Sequence, residues 1–317
     1  MFSFIKFIQA MLKRIRMNKG LWFSILTFVS AVGIFLSMYL INSMSHNVAE
    51  RIYLKIHKVN SIQLENTFEQ KYNMLSSLGG LIAKYPIIIN NIKTKSDKKV
   101  NKLILEIQKT INDSLIDDSV ELHYYAKNFT ATGGSDQKYA DVVMRSNSPI
   151  NGVVVNKEGV KIISISPIVD GDKVIGAIEV EEDVHYAKND LEKFGKEFAF
   201  LLDKEQVAQI DIQYKQGKLE DIGEKYKTFF HDYDPNFYTY LKEIDVDDLV
   251  QKKYHNDKLY YTNAVEAFDI DGKRIGVYVM GEKGLEEDSF VKITQDLIKS
   301  VTTVALGLVI SLVLFMF

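Results

Sequence analysis

Between Gly20 and Ser45 the chain carries no charged residue. The run LWFSILTFVSAVGIFLSMYLINSM, as a helix rising about 1.5 Å per residue, is long enough to cross a hydrocarbon layer of about 30 Å. A cleaved signal peptide has an apolar stretch of only about 7–15 residues, so this run reads as an anchor that stays. Lys6, Lys13, Arg14, Arg16 and Lys19 precede it without a single acid, which places the N-terminus in the cytoplasm. A second uncharged run extends from Ser300 to Phe317, lengthened backwards past Lys299 by Leu297 and Ile298. It lacks the polar stripe of a core helix and is expected to return the chain to the cytoplasm. The sequence stops inside this run with no basic residues beyond it, and so reads as a fragment of a longer protein.

What lies between the runs has globular composition. The 317 residues are 46% hydrophobic and 26% charged, which excludes disordered and collagen-like classes. With no cysteine, neither disulfides nor a thiolate metal site can contribute. The first twenty residues hold five of the 39 basic residues, leaving 34 against 42 acids, a formal charge of −8. Phosphate backbones need a basic face, so nucleic acid is excluded as a partner.

From Val48, the apolar residues Ile52, Ile56, Val59 and Ile62, then Phe68, Tyr72, Leu75 and Leu78, recur mostly at steps of three and four. This predicts that the first run continues outward as one helix for some 30 residues, about 45 Å, until Lys84-Tyr85-Pro86 breaks it. A second helix is predicted over Asp97 to Asp113. After Asp118 the period becomes two: Glu121 to Tyr125, Gly152 to Val155, Val160 to Ile168 and Lys173 to Val180 read as strands. Asn156-Lys157-Glu158-Gly159 and Asp170-Gly171-Asp172 supply the turn chemistry between them. A strand at Phe198 to Asp203 and a helix at Asn236 to Lys242, capped by Asp234 with Pro235 in its first turn, follow. Tyr260 to Asp269, a turn at Asp271-Gly272, and Arg274 to Met280 then repeat the earlier strand, turn and strand. Asp170-Gly171 precedes Ile175-Gly176, and Asp271-Gly272 precedes Ile275-Gly276, a hundred residues later. Glycine inside a strand marks a bulge or a close backbone approach, so two copies of one unit are expected. Asp288 to Lys299 reads as a helix entering the second run.

The helix after the first run, the segment SPINGVVVNKEGVKIISISPIVDGDKVIGAIEV (Ser148 to Val180) and the segment VEAFDIDGKRIGVYVMG (Val265 to Gly281) resemble a double-Cache sensor. This is the extracytoplasmic input module of bacterial chemoreceptors (methyl-accepting chemotaxis proteins), sensor kinases and cyclic-dinucleotide enzymes. The resemblance covers nearly all of the region between the runs. It implies an α+β fold with a long N-terminal helix and two tandem PAS-like antiparallel-sheet subdomains, flanked by two transmembrane helices. The expected plan is a cytoplasmic basic N-terminus (1–20), a first span (21–44), the long helix with a membrane-distal subdomain (45–190), a membrane-proximal subdomain with its exit helix (191–296) and a second span (297–317). It further implies a homodimer in the bacterial inner membrane with its main domain in the periplasm. The distal pocket would bind a small molecule, of the amino acid, amine or carboxylate class, and pass a signal across the membrane, with chemotaxis the favoured output. A sensor histidine kinase or diguanylate cyclase is the alternative output, and a periplasmic assembly protein the alternative of another class.

Strand parity selects the pocket candidates. His123 and Tyr125 share one face of the first strand, Ser164 and Ser166 one face of the next, and Glu179 interrupts an apolar strand. Tyr139 and Arg145 lie between. A buried Glu179 suits a cationic ligand and Arg145 a carboxylate, together a zwitterion; alternatively the two pair with each other or face water. Catalysis finds no support. The six histidines are scattered, and Asp269-Ile270-Asp271-Gly272 begins like a calcium loop but lacks the later ligands and reads as a hairpin turn. Thr132-Gly133-Gly134-Ser135 is not a phosphate loop, since no Gly-Lys-Ser/Thr follows. His231-Asp232-Tyr233-Asp234 could hold a cation but reads better as the approach to a helix cap. No cofactor and no metal is called for.

Overall fold

The computed structural model describes residues 19–94, 96–115, 119–126, 136–215, 219–229, 233–257, 259–284 and 290–316. Thr132 to Ser135, His231, Asp232 and Asp288 lie outside them. The chain divides into a central unit of residues 56–285 and a unit formed by the flanking residues.

Helix α1 is one helix from Lys19 to Ala83. In the central unit its buried stripe runs through Ile56, Leu64, Phe68, Leu75 and Ile82. Val59 and Ile62, expected on that stripe, are exposed, and the intervening Asn60 is buried instead. The reason is a specific partner, because Asn60 Nδ2 donates to Asn263 Oδ1 at 3.0 Å. Each fully buried Leu or Ile on this stripe is worth about 1.5–3 kcal/mol. Tyr85 before Pro86 is extended, as a residue preceding proline prefers, and this ends α1. Two shorter helices follow, α2 (Pro86–Lys93) and α3 (Asp97–Asn112).

The first sheet comprises β1 (Glu121–Ala126), β2 (Ile150–Val155), β3 (Val160–Asp170) and β4 (Lys173–Asp183), with α4 (Gln137–Ser146) between β1 and β2. It is antiparallel throughout, in the order β1-β4-β3-β2. One face bears Leu122, Tyr124, Ile162, Ile178 and Val180 and joins the core of α1, α2 and α3. The other bears Tyr125, Val154, Ile163, Ile165 and Ala177, clustered with Tyr139, Ala140 and Val143 of α4.

Then come α5 (Ala187–Glu192), β5 (Glu197–Asp203), the short α6 (Ile212–Lys215), β6 (Leu219–Ile222), β7 (Tyr226–Phe229), α7 (Pro235–Glu243), α8 (Val246–Lys252), β8 (Tyr254–Asn256), β9 (Tyr260–Phe268) and β10 (Arg274–Lys283). The second sheet has the order β6-β7-β5-β10-β9-β8. Asp234 caps α7, its side chain accepting from the backbone N–H of Asn236 and Phe237. Strands β6, β7 and β8 are three or four residues long, too short for alternation to show in the sequence.

The connectivity of the two sheets matches. In each the first strand lies beside the last, and the last three form a meander. Ile175 and Ile275 are the extra residues of two bulges, since the register jumps from Val174 to Gly176 and from Arg274 to Gly276. The glycine after each bulge lies against the neighbouring first strand. A Cβ on Gly176 would stand 2.6 Å from the Tyr125 carbonyl oxygen, and one on Gly276 would run into that of Leu201. The hairpin glycines Gly171 and Gly272 have φ of +60° and +78°, open to glycine without strain.

Helix α9 (Phe290–Met316) closes the chain as described. Among the described residues no helix is long and apolar enough to cross a membrane. Many side chains of the two apolar runs lie outside the described residues.

Candidate ligand-binding site

The face of the first sheet covered by α4 carries two acids, and the residue preceding α4 adds a third, where an apolar core is the usual occupant. Parity puts Glu179 and Glu181 of β4 on this face, with His123 and Tyr125 of the adjacent β1. Glu179 is fully buried; the Tyr125 hydroxyl donates to its Oε2, and its Oε1 has no hydrogen-bond partner. Two residues along, Glu181 is 2% exposed, with Oε1 3.1 Å from His123 Nε2. The third acid is Asp136, 5% exposed, just before α4. Its backbone carbonyl accepts from the N–H of Tyr139 and Ala140, yet its carboxylate makes no capping bond to the helix. Asp is a preferred capping residue, so this carboxylate is committed elsewhere. Oxygens of Asp136, Glu179 and Glu181 lie within 4.8 Å of one another.

Asn156 holds the group from the β2–β3 turn. Its Oδ1 accepts from the N–H of Glu158 and Gly159, fixing the turn, and its Nδ2 reaches Asp136 Oδ2 at 3.4 Å and Glu181 Oε2 at 3.5 Å. A cavity of about 230 Å³ opens here, lined by Asp136, Lys138, Tyr139, Asn156, Gln209 and Asp269. A larger one, about 440 Å³, is lined by Glu121, Glu158, Lys161, Asp183, His185 and Tyr233, among others. There Lys161 is surrounded by Glu121 at 3.3 Å, Asp183 at 3.3 Å and Glu158 at 4.0 Å, so its cavity offers no free cation.

The electrostatics follow from burial of like charges. Removal from water, then the charges of Glu181 and Asp136, push the Glu179 carboxyl up to about 8, against the opposing effects of the Tyr125 hydrogen bond and His123. Burial alone would lower His123, but the hydrogen bond to Glu181 and the charges of Glu181, Glu179 and Glu121 outweigh it and raise it to about 9. Burial and the Glu179 charge raise the Tyr125 phenol, which therefore stays a donor.

Of the residues selected from the sequence, His123, Tyr125 and Glu179 come together here. Tyr139 lines the neighbouring cavity and donates through its hydroxyl to Asp271 Oδ2 at 2.8 Å. Ser164 and Ser166 do not join them. They pair with Val180 and Ile178 on the opposite face, where α1 passes so closely that a Cβ on Gly79 would stand 3.1 Å from Ser166 Oγ. Arg145 is exposed in the last turn of α4, its Nε donating to the Asp141 carbonyl at 3.1 Å, and it forms no pair with Glu179 among the described contacts. A long charged side chain at a helix C-terminus is better served by water and the helix dipole than by burial. Asp136, Asn156 and Glu181 were not selected. Glu181 had a signal, the parity it shares with Glu179; Asn156 looked like turn chemistry alone.

Asp269-Ile270-Asp271-Gly272 is a turn: Asp269 Oδ1 accepts from the N–H of Asp271 and Lys273. It nevertheless touches the site's surroundings. Ile270 packs on the apolar cluster under α4, its N–H donating to the Val153 carbonyl, while Asp271 takes Lys138 Nζ at 2.8 Å as well as Tyr139.

The chain is similar to the sensor domain of the V. cholerae histidine kinase DctB, at 8% identity, covering 74% of this chain and 99% of that one with a TM-score of 0.41. It is similar to the ligand-binding domain of the Campylobacter jejuni chemoreceptor Tlp3, solved in complex with L-valine, at 12% identity, covering 76% and 95%, with a TM-score of 0.43. The periplasmic domain of Vibrio cholerae LuxQ matches at 10% identity over 68% and 95%, with a TM-score of 0.41. No family model matches the chain, and no curated protein matches it in sequence.

Proposed function

We propose that this chain is the input region of a transmembrane sensory receptor, in which a positively charged solute binds at the acid-bearing face of the first, membrane-distal sheet. The observation that carries this reading is the buried Glu179 oxygen without a partner. An orphaned acceptor beside two further carboxylates costs free energy unless something with a positive charge or a donor joins it. The anchoring is supported by the apolar runs, whose described residues Phe28, Phe35, Tyr39, Leu297, Val301 and Val304 expose between 59% and 74% of their surface. Such exposure suits lipid contact.

Support for a signal path comes from β4. Its odd residues Glu179 and Glu181 face the site, while Glu182 points to α1 and meets Lys71 at 3.5 Å, with Asp190 3.4 Å from the same ammonium. A cation that draws Glu179 and Glu181 together moves the strand whose other face holds the long helix. Chemotaxis is the favoured output; a histidine kinase or a diguanylate cyclase is the alternative.

The test is thermal unfolding of the full chain in detergent micelles against amines, amino acids, simple carboxylates and metal cations. Cationic solutes should raise the midpoint, and Glu179→Gln should abolish the rise. Stabilisation by no cationic solute, or equal stabilisation of the Glu179→Gln variant, refutes the reading.

A further inference from the structure

The cavity and the acid cluster are not the same space. The 230 Å³ cavity is lined by Asp136 and Asn156 but by neither Glu179 nor Glu181. Beside those two acids on the same face lie Ile163, Ile165 and Ala177, all fully buried. An organic amine in the cavity therefore meets Asp136 and neither glutamate. What the three carboxylates enclose is a gap of atomic size, with ligand oxygens no more than 4.8 Å apart. That is about twice the metal–oxygen distance of a hard divalent cation, about 2.3–2.6 Å for calcium.

We propose that Asp136, Glu179 and Glu181 bind a single divalent cation of the calcium class, so that the receptor's input is, or requires, a metal ion. The inference rests on the site proposed above and names its ligand. Glu179 offers Oε1, buried and without a hydrogen-bond partner, as one ligand. Asp136 and Glu181 supply the others; Asn156 Nδ2 touches them only at 3.4 and 3.5 Å, and His123 Nε2 lies 3.1 Å from Glu181 Oε1. Tyr125 stays on Glu179 Oε2 as the outer support that orients it. All-oxygen donors and burial select calcium over magnesium, which gives up its water shell reluctantly. Thiolate-preferring metals lack their ligands here, and the one nearby nitrogen, His123 Nε2, is held by Glu181 Oε1 at 3.1 Å.

The experiment is titration calorimetry of the full chain in micelles with calcium and with magnesium at pH 7. The expected result is one calcium per chain, bound at least tenfold more tightly than magnesium. Glu179→Gln and Asp136→Asn should each weaken calcium at least tenfold, whereas the exposed Glu106→Gln leaves it unchanged. A midpoint of unfolding within a few degrees of wild type shows that the variants are folded. Absence of calcium binding, or binding indifferent to both variants, overturns the proposal. Amine stabilisation without calcium binding overturns the metal and leaves the site standing; silence from both overturns both.

Discussion

The two sheets share a backbone plan and differ in what their covered faces contain. Residues a hundred apart correspond: the bulges at Ile175 and Ile275, the tight glycines Gly176 and Gly276, and the faces turned to α1, where Ile178 matches Tyr278, whose ring lies 4.8 Å from that of Phe68. On the opposite faces Glu179 corresponds to Val279 and Glu181 to Gly281. Val279 is fully buried, and a Cβ on Gly281 would collide with the Phe237 ring, which packs 5.2 Å from Tyr260. A ring from α7 thus fills in the second sheet the position held in the first by an acid. Two substitutions on one strand separate a face that buries an unpartnered carboxylate oxygen from a face that is already full.

The largest expected effect comes from emptying the filled face. Phe237→Ala should cost about 3–5 kcal/mol in denaturant unfolding, the usual penalty for a large-to-small change at a buried aromatic. A cost below 1 kcal/mol would mean that the second face is not a packed core. Next are the paired glycines: Gly176→Ala and Gly276→Ala should each cost about 1–3 kcal/mol, because the added carbon meets a first-strand carbonyl rather than a movable side chain. If one is tolerated and the other not, the equivalence of the two bulges fails.

Smaller, and specific to the first sheet, is the dependence on pH. Glu179 is raised from 4.5 to about 8, and His123 from 6.5 to about 9. In both cases the folded state holds its proton more tightly than the unfolded one, so stability falls as pH rises through the window from about 5 to 9. Melting midpoints should therefore be higher at pH 6 than at pH 9, and Glu179→Gln should flatten the slope. A midpoint that rises over this range contradicts the burial of the acids. The smallest effect is expected on the α1 side. The buried Ser164 Oγ lacks a partner, so Ser164→Ala should change stability by less than about 1 kcal/mol and leave ligand response intact.

Much of this contrast could be seen in the chain itself. The period of two marked the longer strands, Asp-Gly marked the hairpins, and the Ile-Gly pairs marked a bulge with a close approach at both positions. Parity correctly grouped His123 and Tyr125. It could not say which face of β3 turns to α1, because Ser164 and Ser166 stand among isoleucines on both sides and either face reads as core. Nor could spacing find Asp136 or Asn156, which reach the acids from two loops distant in sequence from β4.

The apolar runs, the long helix, the repeated hairpin and the presence of an acid inside an apolar strand follow from sequence alone, because they are local patterns of period, charge and turn chemistry. That Glu179 meets Glu181 and Asp136, that one of its oxygens is left alone, and that Phe237 closes the equivalent space in the second sheet were decided only by the tertiary fold. Such outcomes depend on which faces are pressed together, and burial turns an ordinary carboxylate into one that needs a partner.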